Sequence, residues 1–162
     1  MANQANKKMM GVVSVLVVIV VVVVLVLVVR HKDKNTLASL SAAQVSSAKT
    51  QIDHNWQTFF GPTASLQTRE NLLQNGSAFA QIIQSEFAAL GQESFSSTIN
   101  STTLTSTTAA NVVYTGTLGG QVVLKNEAGS AVKVNNTWKV SDATLCQLLA
   151  LDGSKPAVCK TT

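Results

Sequence analysis

From Gly11 to Val29 the chain runs for 19 residues without a charge, and all but Gly11 and Ser14 are Val, Leu or Ile. At 1.5 Å per residue a helix of that length measures about 28 Å, close to the hydrocarbon thickness of a bilayer. Valine is a mediocre helix former in water, but in lipid every unpaired backbone group costs several kcal/mol and forces the helix. A core strand would be far shorter. A cleaved signal peptide has an apolar region of 7–15 residues and a small-x-small cleavage site. This run is longer and ends at Arg30-His31-Lys32-Asp33-Lys34 without such a site; Ala42 and Ala43 lie too far beyond its end. No Cys follows directly, which excludes a lipoprotein anchor.

The run therefore predicts a cytoplasmic N-terminus over 1–10 and a single transmembrane helix over 11–29. A basic flank and tether follow over 30–38, and an extracytoplasmic α+β domain over 39–162. The lipid bilayer is the first expected partner. Residues 1–34 hold five bases and one acid, while the remaining 128 residues hold seven of each, so the whole net charge of +4 surrounds the apolar run. The rest of the chain has no basic excess and offers nothing to nucleic acid.

Lysine and arginine number two before the run and three after it, so charge balance alone does not set the orientation. The cysteines favour export. Cys146 and Cys159 are the only two, and an even count in a small domain fits an oxidised pair. Closing a loop of about 14 residues would contribute roughly 3 kcal/mol. The alternatives are two unrelated reduced thiols, or a zinc site that would lack ligands because no His stands near.

Beyond the flank, Asn35 to Ser47 has the composition of a tether. Leu37, Leu40, Gln44, Ala48, Ile52, Trp56 and Phe59 nevertheless recur at steps of three and four and predict a helix ending before Gly61-Pro62. A second helix is expected over Leu66 to Gln74, stopped at Asn75-Gly76. Ser77 is expected to cap a third, with Phe79, Ile82, Ile83, Phe87 and Leu90 on its buried face.

Past Gly91 the pattern turns to strands. The first is a long strand with ragged ends over Ser94 to Thr108, and the second covers Asn111 to Leu118. Gly119-Gly120 turns into a third over Gln121 to Asn126. Glu127-Ala128-Gly129 reads as another turn before Ala131 to Val134, and Asn135-Asn136 as a tight hairpin into Thr137 to Val140. Ser141 then caps a closing helix that runs to about Leu151. Helices beside an antiparallel sheet make an α+β domain.

Three blocks carry a resemblance: Trp138-Lys139-Val140-Ser141 with Thr144-Leu145-Cys146-Gln147-Leu148-Leu149, Trp56-Gln57-Thr58-Phe59-Phe60, and Asn75-Gly76-Ser77-Ala78-Phe79. Together they resemble the actinobacterial low-molecular-weight antigen family over Ser39 to Leu151. The resemblance implies helices on a curved antiparallel sheet, a cone-like fold as in nuclear transport factor 2 or cystatin, in an exported protein. It brings no catalytic motif. The chain departs from secreted members by its uncleaved apolar run and its cysteine pair, which point to attachment to the cell.

Catalytic residues are scarce. His31 lies in the basic flank. His54 adjoins Asp53 on the first helix, where neighbours do not face each other, so the two make a poor dyad. Glu70, Glu86, Glu93, Glu127, Asp142 and Asp152 stand singly, without the pairing acid–base chemistry needs. Ser46-Ser47-Ala48-Lys49 places a Lys three after a Ser, but outside any supporting motif. Gly119-Gly120 lacks phosphate-loop spacing. No catalytic, cofactor-binding or metal-binding residue is expected, and the chain is read as a non-enzyme.

What remains is binding. Phe59, Phe79, Phe87, Tyr114 and Trp138 are the candidates to line the cavity of the cone fold, with core packing as the plainer alternative. The leading expectation is a membrane-anchored domain that binds or scaffolds an envelope protein or lipid. A small-molecule or lipid carrier is second, and an enzyme using the cavity third.

Overall fold

A computed structural model describes residues 37–90, 95–151 and 153–160. The expected membrane segment over 11–29 lies outside them, as does most of the flank. Among the described residues no helix is long and apolar enough to cross a membrane.

Leu37–Ser39 forms a single 3-10 turn, and Ser41 then opens α1, Ala42–Phe60. Its hydroxyl accepts from the Gln44 amide at 3.3 Å, while Gln44 Oε1 accepts from the Ser41 amide at 2.8 Å. This reciprocal capping box satisfies two donors that a helix start leaves orphaned. Of the expected stripe, Ala48, Ile52, Trp56 and Phe59 are buried, joined by Phe60, whereas Leu37 and Leu40 precede the helix and Gln44 is exposed. Helix α2, Leu66–Leu72, is capped by Ser65. Helix α3 covers Ala80–Ala89.

The start of α3 differs from expectation. Ser77 caps nothing; it lies inside a 3-10 turn over Gly76–Phe79, and α3 begins after Phe79 without a side-chain cap. The cause is the approach of Gly76 to the end of α2, so close that a Cβ there would stand 1.9 Å from the Glu70 carbonyl oxygen.

Four antiparallel strands follow in the order β1-β2-β3-β4: Phe95–Leu104, Ala109–Leu118, Gln121–Val134 and Thr137–Val140. They form a curved half-barrel sheet on which the helices pack. Bulges explain the curvature. One falls between Ile99 and Ser101 on β1; others lie opposite Tyr114 to Thr117 of β2, where β3 carries the extra residues. At the first, the inward positions change parity from Ser97 to Thr102 and Leu104.

The turn expected at Glu127-Ala128-Gly129 is absent, and β3 runs unbroken through all three. The irregularity falls one residue earlier, at Asn126, whose φ of 55° sits in the left-handed region that asparagine tolerates. The other two turns are as expected. Gly119 and Gly120 (φ 56° and 82°) and Asn135 and Asn136 (φ 49° and 64°) supply the paired positive φ of tight two-residue hairpins.

Ser141 ends the sheet and caps α4, Asp142–Leu151, its hydroxyl accepting from the Thr144 amide at 3.2 Å. A final 3-10 turn, Ala157–Lys160, is tied to α4 by a disulfide between Cys146 and Cys159. Their Cα atoms are 5.6 Å apart, inside the range such a bridge spans. The core lies between α1 and the concave face of the sheet, around Ile52, Trp56, Phe59, Val112, Tyr114 and Trp138.

A candidate apolar binding groove

The concave sheet is closed at its centre by the α1 aromatics, but not at the end where β2 turns into β3. There an open groove of about 360 Å³ runs between the sheet, the C-terminal half of α3 and one face of α4. Helix α3 contributes Glu86 and Phe87, with Leu90 just after it, and α4 contributes Leu145, Leu148, Leu149 and Leu151. The hairpin contributes Leu118, Val123 and Leu124, with Phe60 and Phe95 beneath. Glu86 is the one polar side chain among them. The volume lies at the small end of ligand sites, which run to roughly 300–1,000 Å³ and are mostly apolar.

Local sequence explains why this end stays open. Val122, Val123 and Leu124 stand where the β2–β3 register shifts: Thr117 pairs with Val122 and Gly116 with Leu124, and the extra residue Val123 lines the groove together with Leu124. Val122 is 59% exposed and Val123 52%. Gly116 lies beneath the Phe95 ring, where a Cβ would meet Cζ at 2.8 Å. The groove floor continues into the core through Phe60, whose ring lies 5.6 Å from Phe95 and stacks at 6.1 Å on Tyr114.

The Phe87 wall is fixed from behind by Arg69. This residue is buried on α2, and its guanidinium carbon sits 3.5 Å from the centroid of the Phe87 ring. The same guanidinium donates to the Phe59 carbonyl and, at 2.7 Å, to the Gly61 carbonyl. It thus supplies positive charge and donors to the orphan carbonyls where α1 ends. Burial brings its pKa down to about 10.

Of the five aromatic residues expected at the cavity, Phe87 lines the groove. Phe59, Phe79, Tyr114 and Trp138 belong to the buried core. Tyr114 faces Trp56 at 5.3 Å, and its phenol is pushed up to about 12 by burial and, secondarily, by the charge of Glu127 across the β2–β3 ladder. The Trp138 carbonyl accepts from Asn55 Nδ2 at 2.7 Å, joining β4 to α1.

The polar residues are occupied with structure. His54 is exposed, whereas Asp53 turns inward to accept from Thr102 Oγ1 at 2.6 Å, so the neighbours diverge. Ser130, Ser141 and Thr144 form a hydroxyl cluster, with oxygens 2.7 and 3.0 Å apart, that stitches β3 to the start of α4. Asp142 is buried and accepts from both the backbone (3.0 Å) and the side-chain nitrogen of Asn75. Among the described residues no three His, Cys, Asp or Glu side chains gather as a metal site would need.

Sequence reasoning missed Arg69 and most of the groove lining. A lone arginine in a short helix reads as a surface residue, and isolated leucines read as core. The available signal was the run Val122-Val123-Leu124, too apolar for a half-exposed strand.

The chain matches the family model for the low molecular weight antigen MTB12, C-terminal domain, over residues 44–156. No curated protein and no solved structure matches it.

Proposed function

Because the chain belongs to the MTB12 C-terminal domain family, we propose that it is a non-catalytic binding module of an actinobacterial cell envelope. Its N-terminal segment holds it to the membrane with the domain outside, and the groove between α3, α4 and the β2–β3 hairpin receives an apolar ligand. The groove carries this reading: eleven of its twelve lining side chains are apolar, and it opens to solvent. An apolar surface of this kind gains stability by being covered.

A freely moving carrier is the second reading, and the same groove supports it. Only seven residues, 30–36, separate the apolar run from Leu37. A domain on so short a leash favours binding in place over transport between compartments.

Photolabelling of the full-length protein with a small apolar diazirine, mapped by peptide mass spectrometry, tests the groove. Label is expected on Phe87, Leu124 and Leu148 and is reduced by Val123→Glu. Label confined to 11–29 would refute it. Location is tested separately by a membrane-impermeant maleimide on intact cells. Labelling of Cys146 and Cys159 only after external reduction is expected; labelling only after lysis, without reductant, would place the domain inside.

A further inference from the structure

Leu151, Val122 and Val123 are 65%, 59% and 52% exposed, the three most exposed large apolar side chains among the described residues. Two of them meet at one place: Val123 on the hairpin and Leu151 at the end of α4 both line the groove. Contiguous apolar surface with a recess at its centre marks a contact site rather than random exposure.

The lining says what kind of molecule fits. A peptide entering the groove would bring backbone N–H and C=O groups, each costing several kcal/mol if buried without a partner. Glu86 is the one polar side chain along the wall, so it can answer few of them. A hydrocarbon chain asks for none. The chain outside the described residues says where such a molecule comes from. The apolar run ends at Val29, and the seven residues to Thr36 can span at most about 25 Å when fully extended. The domain is thus held close to the bilayer, the nearest source of such chains.

We propose that the groove holds one acyl chain of a bilayer lipid, admitted over a rim formed by Val123 and Leu151 that rests on the membrane surface. This rests on the reading of the groove as an apolar binding site and of 11–29 as the anchor, and it names the ligand. Phe87, held from behind by Arg69, gives the chain a rigid wall, while Leu124 and Leu148 cover its flanks.

The test uses the full-length protein in vesicles of phosphatidylcholine and phosphatidylglycerol, a fraction of which carries a diazirine midway along one acyl chain. Crosslinks are expected in peptides bearing Phe87, Leu124 or Leu148, besides those in 11–29. Val123→Glu and Leu151→Glu alter exposed side chains and leave the core intact. Each is expected to lower the groove crosslinks about tenfold, the effect of a charge that costs at least 1.4 kcal/mol to bring against hydrocarbon. Leu66→Glu, an exposed change on α2, is expected to leave them as they are. Crosslinks in 11–29 alone overturn the proposal. If the small free diazirine still labels the groove in that case, the groove remains an apolar site and only the lipid assignment falls. If neither probe labels it, the proposed binding function falls as well.

Discussion

Gly129 lies directly against the indole of Trp56: a Cβ at position 129 would stand 2.7 Å from Cη2 and 3.2 Å from the Thr144 side chain. The helix layer and the half-barrel meet at this point, because Trp56 is buried on α1 and its Nε1 donates to Ser97 Oγ on β1 at 3.1 Å. Gly129→Ala is expected to destabilise the domain by about 1–3 kcal/mol, the usual cost of overpacking. Urea denaturation followed by tryptophan fluorescence measures it. An unchanged midpoint would mean that Trp56 has room to move.

The role of Arg69 depends on its fork and not only on its charge. Arg69→Lys keeps a cation but cannot bond both the Phe59 and Gly61 carbonyls while lying on Phe87. A loss of about 1.5–3 kcal/mol is expected, in the range of hydrogen bonds to charged groups. Photolabelling of Phe87 by the small diazirine should also fall as its ring loses support. Full stability in the lysine variant would show that charge alone suffices.

Tyr114 is the one tyrosine in the chain, so its ionisation can be followed directly by ultraviolet absorbance. Its folded pKa of about 12 lies above the ordinary value of 10.0. The unfolded chain therefore releases this proton first. The stability it contributes is fully present below pH 10 and is lost as pH rises through about 12. Tyrosinate should appear near pH 12 in the folded protein and near pH 10 in urea. Coincident titrations would show that water reaches the phenol.

Asp142 joins the start of α4 to the segment after α2 through Asn75. Asp142→Ala removes both accepted bonds and the one acidic side chain in the first turn of that helix. A loss of about 1–3 kcal/mol is expected from the donors left without a partner. Asp142→Asn, which still offers one acceptor, should lose less. Equal losses would place the effect in packing rather than in hydrogen bonding.

The elements with local signals were legible in the sequence. Gly119-Gly120 and Asn135-Asn136 choose a turn by backbone preference alone, whereas the capping box of Ser41 and Gln44 went unread because the apolar spacing starts earlier, at Leu37. Cys146 and Cys159 could be paired by count. The errors arose where a residue serves a distant partner. Gly129 looked like a turn glycine, but it is small because Trp56, 73 positions earlier, occupies the space of its side chain. Gly76 similarly answers to Glu70 and displaces the helix start expected at Ser77. The groove was hidden for a related reason. Leu124 and Leu148 carry no mark that separates a wall from a core, and only the fold brings them to one opening.

The bridge between Cys146 and Cys159 has a consequence for the life of the molecule outside a reducing compartment. It encloses the end of α4 and the exposed turn at Gly153, the kind of site at which proteases cut. A single cut there would leave both fragments joined, with α4 still capped by Ser141 and still forming its side of the groove. The nicked protein would migrate as one chain until reduced. Damage to this tail would thus go unregistered by the rest of the domain, and the groove would outlast the continuity of its own backbone.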